Sequence, residues 1–143
     1  MDADDPIIAA IDAHRRACSQ TRAAFERQSA VENGLVVRAG VPAGEVENEW
    51  IAANAVAGEA LAVQDDLAVK LLETQPTTIA GAAALLTYYV DVITTKQPEV
   101  AFPELDVNGR PLESKSIDEP RRDFGYFIVR NVAAALSNMA AAE

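Results

Sequence analysis

Two runs of apolar and small side chains, each alternating between spacings of four and three, constrain this chain's fold more than any other feature. The first consists of Ile7, Ile11, His14, Cys18, Thr21, Phe25 and Gln28, and the second of Val46, Trp50, Ala53, Ala57, Ala60, Gln64, Leu67 and Leu71. Side chains three and four residues apart share one face of a helix, and a sustained alternation makes a seam like that of a coiled coil. Only a short connection from Leu35 to Ala43, with Gly40 and Pro42, separates the two helices that carry these runs. So short a connection returns the second helix antiparallel beside the first. Matching the seams from that turn sets Gln28 level with Trp50, Phe25 with Ala53, Thr21 with Ala57, Cys18 with Ala60 and Ile7 with Leu71. His14 then faces Gln64, and a buried imidazole needs a polar partner, so these two are expected to form a polar layer.

Capping and breaking residues set the expected ends. Asp5 can accept from orphan backbone N–H groups and Pro6 suits the first helical position, which starts a helix that Asn33-Gly34 is expected to close, over about 6–33. The second helix is expected over about 44–74. Pro76 disfavours helix at Gln75, and Thr77 or Thr78 can cap a third, over about 77–95. Its Ile79, Leu85, Leu86, Tyr89, Val90 and Ile93 leave little polar face, so neighbouring helices or a second subunit are expected to cover it. Residues 97–118, with Pro98, Pro103 and Pro111, show no helical period and form an irregular arm in which Val107-Asn108-Gly109-Arg110 suits a tight turn. A last helix over about 119–139 is expected to bury Phe124, Phe127, Ile128, Val132, Ala135 and Met139.

The expected class is therefore all-α: an antiparallel four-helix bundle on a long N-terminal hairpin, in one domain over 1–143. Composition agrees, since 50% of the residues are hydrophobic but only 6% aromatic. Alanine supplies much of the remainder, and it favours helix and close helix approach over strand. The lone Cys18 excludes an internal disulfide. No basic-then-apolar leader precedes Asp2, Asp4 and Asp5, and the most apolar stretch, Ile79 to Ile93, falls short of the ~20 residues that span a bilayer. A cytoplasmic protein without a membrane span is expected.

Chemistry-bearing residues are sparse. His14 and Cys18 lie one helical turn apart, as a metal site or thiolate–imidazole pair requires, but this is the only His and the only Cys. Di-iron bundles use Glu-x-x-His pairs, whereas Ile11 stands three before His14. No Gly-x-Ser-x-Gly elbow accompanies Ser19 or Ser29. Glu45, Glu49, Glu59, Asp65, Asp66 and Glu73 are a supply of carboxylates for a divalent cation, but most lie opposite the Trp50 seam, where a solvated face is expected. No catalytic residue, metal ligand or cofactor is assigned. The net charge is -10, and Val41 to Pro76 alone holds seven acids against Lys70. Arg15-Arg16 and Arg121-Arg122 are too few in such a chain to neutralise a nucleic-acid backbone, and are read as pairing with acidic neighbours or sitting in solvent.

The strings Asp5-Pro6-Ile7-Ile8-Ala9-Ala10-Ile11-Asp12-Ala13-His14-Arg15, Glu49-Trp50-Ile51-Ala52-Ala53-Asn54, Pro76-Thr77-Thr78-Ile79-Ala80-Gly81 and Arg130-Asn131-Val132-Ala133-Ala134-Ala135-Leu136 together resemble a group of small bacterial helical proteins with no assigned activity. The resemblance implies an order of helices over most of the chain and no site.

The functional expectation is a non-enzymatic helical interaction or regulatory module of unknown protein partner that self-associates as a homodimer. The third helix, the last helix and the arm are the candidate contacts, the arm through Val100, Phe102, Leu105, Val107 and Leu112. A solvent-exposed arm would waste those apolar side chains, and unstructured connections of this length usually have a role. The alternative is a small helical hydrolase or metal-dependent enzyme using the clustered carboxylates or the His14/Cys18 pair.

Overall fold

A computed structural model describes residues 4–37, 43–94, 102–112 and 120–142, with the side chains of 35–37 and 43–46 left out. The chain is all-α. Among these residues are four helices, α1 (Pro6–Val37), α2 (Ala43–Glu73), α3 (Ile79–Ile93) and α4 (Phe124–Ala141), and one two-stranded antiparallel sheet of β1 (Leu105–Asp106) and β2 (Arg121–Arg122). The chain divides into two compact units, residues 16–64 and residues 1–15 with 65–143, so α1 and α2 each contribute to both.

The first unit is the antiparallel hairpin. Gln28 Nε2 donates to Asn54 Oδ1 at 2.7 Å, and Trp50 Nε1 donates to Glu32 Oε1 at 2.9 Å, closer to the turn. Both bonds lie one helical turn from the level pairing of Gln28 with Trp50, within the reach of these long side chains. The inward side chains are small: Ala17, Thr21, Ala53 and Ala57 are buried, and Thr21 satisfies its hydroxyl on the Ala17 carbonyl at 3.0 Å. Phe25, expected in the seam, is 37% exposed. The buried face runs instead through Ala17, with Cys18 and Ala24 half-buried beside it. Gly34 is also a correction. It lies inside α1, and Gly109 is the one glycine among the described residues with positive φ, so α1 does not close at 33.

The second unit holds the main apolar core. Ile7 and Ile11 of α1 cluster with Ala68 and Leu71 of α2, Ala82, Leu85 and Tyr88 of α3, and Phe124, Phe127, Ile128 and Val132 of α4, while Phe102 and Leu105 close it from the arm. Ile7 and Leu71 therefore meet in one cluster, as the seam matching expects. α3 packs against α4. Asn131 of α4 donates to the carbonyls of Leu71 at 3.0 Å and Thr74 at 2.9 Å, satisfying acceptors that the end of α2 would otherwise leave open.

Asp5 joins two helix starts. Its Oδ1 accepts from the Ile7 backbone at 3.2 Å, while Oδ2 accepts from the backbone N–H groups of Thr77 and Thr78 at 3.0 and 2.9 Å and from the Thr78 hydroxyl at 2.7 Å. Thr78 in turn caps α3, its Oγ1 accepting from Gly81 N at 2.9 Å. A Cβ at Gly81 would collide with the Asp5 carboxylate, so only glycine allows the approach.

In the described part of the arm, residues 102–112, backbone pairing sets a turn. Asp106 Oδ1 accepts from Asn108 N and Arg110 N, Asp106 N donates to Arg110 O at 2.8 Å, and Gly109 turns the chain at φ +81°, packed against Phe127. β1 then pairs with β2, Leu105 opposite Arg122 and Asp106 opposite Arg121. That pairing holds 121–122 extended, so the last helix starts at Phe124, capped by Asp123 on Gly125 N, rather than near 119. Met139, expected in the core, is only half-buried.

Candidate functional site

Three features rise above core packing: an aromatic stack around the only histidine, a pocket beside it, and two apolar stripes on the outside of α3 and α4.

His14 is fully buried, and its Nδ1 lies 2.6 Å from the Tyr88 hydroxyl. Its ring stacks on Phe102 at 5.4 Å with a 7° tilt, and Phe102 stacks on Phe124 at 4.4 Å with a 10° tilt. Phe102 is thus held between an imidazole and a phenyl ring, with Tyr89 at 5.6 Å on its flank. The Arg15 guanidinium covers Tyr88 at 5.1 Å. Such an imidazole is a structural element wedged in a stack. Gln64 is also buried, in the hairpin unit. Tyr88 and Asp5 went unrecognised as buried polar partners. Tyr88 does follow Leu85 by three and Ala82 by six, on the stripe that α3 turns to the core, which was the available signal.

The sequence-level interaction residues separate. Phe102 and Leu105 are core side chains, 8% and 0% exposed, and so are withdrawn from any partner. Val107 is exposed at the turn, Leu112 is half-buried, and Val100 lies outside the described residues. Glu49, Glu59, Asp66 and Glu73 are exposed and Asp65 is half-buried, while the side chain of Glu45 is outside the description. Among the described residues no group of three or more His, Cys, Asp or Glu could hold a metal ion. Burial, and then the neighbouring Asp66, pushes the Asp65 carboxyl above its ordinary value of 3.8. Of the basic pairs, Arg15 meets Asp12 at 3.9 Å and Arg121 meets Glu104 at 2.5 Å.

A pocket of about 540 Å³ opens beside the stack, lined by Tyr89, Ile93, Phe102, Glu104, Arg121, Arg122, Asp123 and Phe124. Tyr89 Oη is 3.4 Å from Asp123 Oδ1, and Gly125 lacks the Cβ that would strike that hydroxyl. Burial, the Asp123 charge and that hydrogen bond raise the Tyr89 hydroxyl above its ordinary value of 10.0.

The outer side chains of α3 and α4 are apolar at heptad spacing. Ile79, Leu86, Val90 and Ile93 are exposed on α3, Ile79 to 71%, and Ala83 continues their line. On α4 the exposed line is Tyr126, Val129, Ala133 and Leu136, with Val129 at 59%. No helix of the described residues is long and apolar enough to cross a membrane. No family model, curated protein or solved structure matches the chain.

Proposed function

We propose that this chain is a non-enzymatic helical interaction module of the cytoplasm, cofactor-free, whose first partner is a second copy of itself. The observation that carries the reading is the pair of exposed apolar lines, Ile79–Leu86–Val90–Ile93 and Tyr126–Val129–Leu136. Single exposed apolar residues are ordinary on a protein surface, but lines of them at alternating spacings of three, four and seven are what a helix presents to another helix.

Charge selects the partner. A chain of net charge -10 repels its own copies across most of its surface, most strongly across α2, whose acids outnumber its one base. α3 carries a single charge, Asp91, and α4 a single charge, Arg130. These two helices are thus the place where like copies meet with least repulsion, and closed two-fold pairs are the commonest outcome of self-complementary faces. The apolar contact is formed by the helices, since Phe102 and Leu105 of the arm are already spent on the core.

Light scattering at micromolar concentration tests the reading. Twice the 15.2 kDa chain mass is expected. A single-chain mass held up to hundreds of micromolar would remove the second copy as partner.

A further inference from the structure

We propose that the pocket beside the aromatic stack binds a planar aromatic carboxylate, the ring against Tyr89 and Ile93 over the edges of Phe102 and Phe124, and the carboxylate on the guanidinium of Arg122. At about 540 Å³ the pocket lies within the range of small-molecule sites, and its lining is half apolar, Tyr89, Ile93 and the edges of Phe102 and Phe124, and half charged. Flat rings add offset-stacked or edge contacts to such a lining beyond the area they bury.

The anion is assigned by comparing the two arginines. Arg121 is neutralised by Glu104 at 2.5 Å. Arg122 makes no ion pair among the described residues; its guanidinium lies 4.5 Å over the Tyr126 ring. Stacking holds the guanidinium plane and leaves its N–H edge for an acceptor, the geometry that takes a carboxylate through two parallel hydrogen bonds. The remaining rim charge is Asp123, whose Oδ1 already accepts from Gly125 N at 2.7 Å. One cation beside one residual carboxylate suits a singly charged ligand and disfavours a phosphate dianion. Tyr89 Oη, fixed near Asp123 in the slot that Gly125 leaves, supplies a further polar group facing the ligand.

The probe is 2-naphthoate, titrated into the full chain labelled with ¹⁵N and followed at the Gly125 and Asp123 amides and the Arg122 Nε. Saturable shifts at these groups are expected. The neutral 2-naphthalenemethanol and the dianion 2-naphthyl phosphate should each bind about tenfold more weakly, as should 2-naphthoate to Arg122→Gln, the size of one lost hydrogen-bonded charge contact at an exposed site. Arg130→Gln carries the same change in net charge away from the pocket and should bind like the parent. Equal affinity for naphthoate and the alcohol, undiminished binding by Arg122→Gln, or absence of saturable shifts at millimolar probe would each overturn the assignment. Arg122 covers Tyr126 of the α4 line, so the mass of Arg122→Gln is taken by light scattering beside its titration: weaker binding by a variant that keeps the parent's mass is the loss of the ligand site alone.

Discussion

Asp5 shows how a single side chain decides the meeting of two helices. Its carboxylate is 2% exposed, and burial alone would push its pKa up; the Thr78 hydroxyl and the backbone N–H groups of Ile7, Thr77 and Thr78 more than reverse this, leaving it below the ordinary 3.8. Asp5→Ala strands those donors and should cost about 3 kcal/mol in urea unfolding, with an unchanged denaturant slope. Gly81→Ala drives a methyl into the same carboxylate and should cost about 2 kcal/mol. Tyr88→Phe removes the hydroxyl that His14 meets and should cost about 1–3 kcal/mol, a buried polar atom being left short of a partner. Asp5 and Pro6 were legible as a helix start. The second role of Asp5 was not, because it depends on Thr77 and Thr78, more than seventy residues away, and no local pattern carries that.

At the scale of elements, hydrophobic period was a good guide to which helices exist and a poorer one to their faces and ends. The four helices and the turn at Gly109 follow from capping, spacing and breakers, while the hairpin connection, with Gly40 and Pro42, lies outside the described residues. The seam places Phe25 and Cys18 inward, whereas Ala17 and Thr21 take the buried positions and Phe25 is exposed. The start of α4 was misjudged because β1 and β2 pair although they are far apart in sequence, Asp106 opposite Arg121, a long-range event that a Glu119-Pro120 start signal cannot report. The two faces of α4 give a sharp contrast to measure. Ile128 is 0% exposed and Val129 is 59% exposed. Ile128→Ala should lose about 3 kcal/mol to its cavity, whereas Val129→Ala, measured at concentrations too low for pairing, should stay within about 0.5 kcal/mol of the parent. The pocket was illegible for the same reason as the cap: its lining comes from α3, the arm and the start of α4, and Arg121-Arg122 reads as one basic dipeptide until Glu104 claims the first arginine and Tyr126 the second.

For the whole molecule, acid stability reports the balance of two carboxylates, the buried Asp5 and the half-buried Asp65. Asp5 has a lowered pKa, so its contribution is fully present above the ordinary carboxylate value of 3.8 and is lost as pH falls below it. Asp65 has a raised pKa, so its cost is present at neutral pH and is relieved as pH falls towards 3.8. Unfolding followed from pH 7 to pH 2 should accordingly show Asp65→Asn gaining stability at pH 7 relative to the parent and converging with it in acid, while Asp5→Asn loses stability at pH 7 and has the shallower fall below 3.8. The most direct test of the central claim, that the exposed lines of α3 and α4 are where two copies meet, is sedimentation equilibrium from 1 to 200 micromolar on Val90→Glu/Val129→Glu/Leu136→Glu beside Val56→Glu/Val63→Glu, whose changes fall on the exposed part of α2. The account predicts a single-chain mass for the first variant with its helical content intact, and twice that mass for the second. Two-chain masses for both, or a single-chain mass produced equally by the α2 changes, would contradict it.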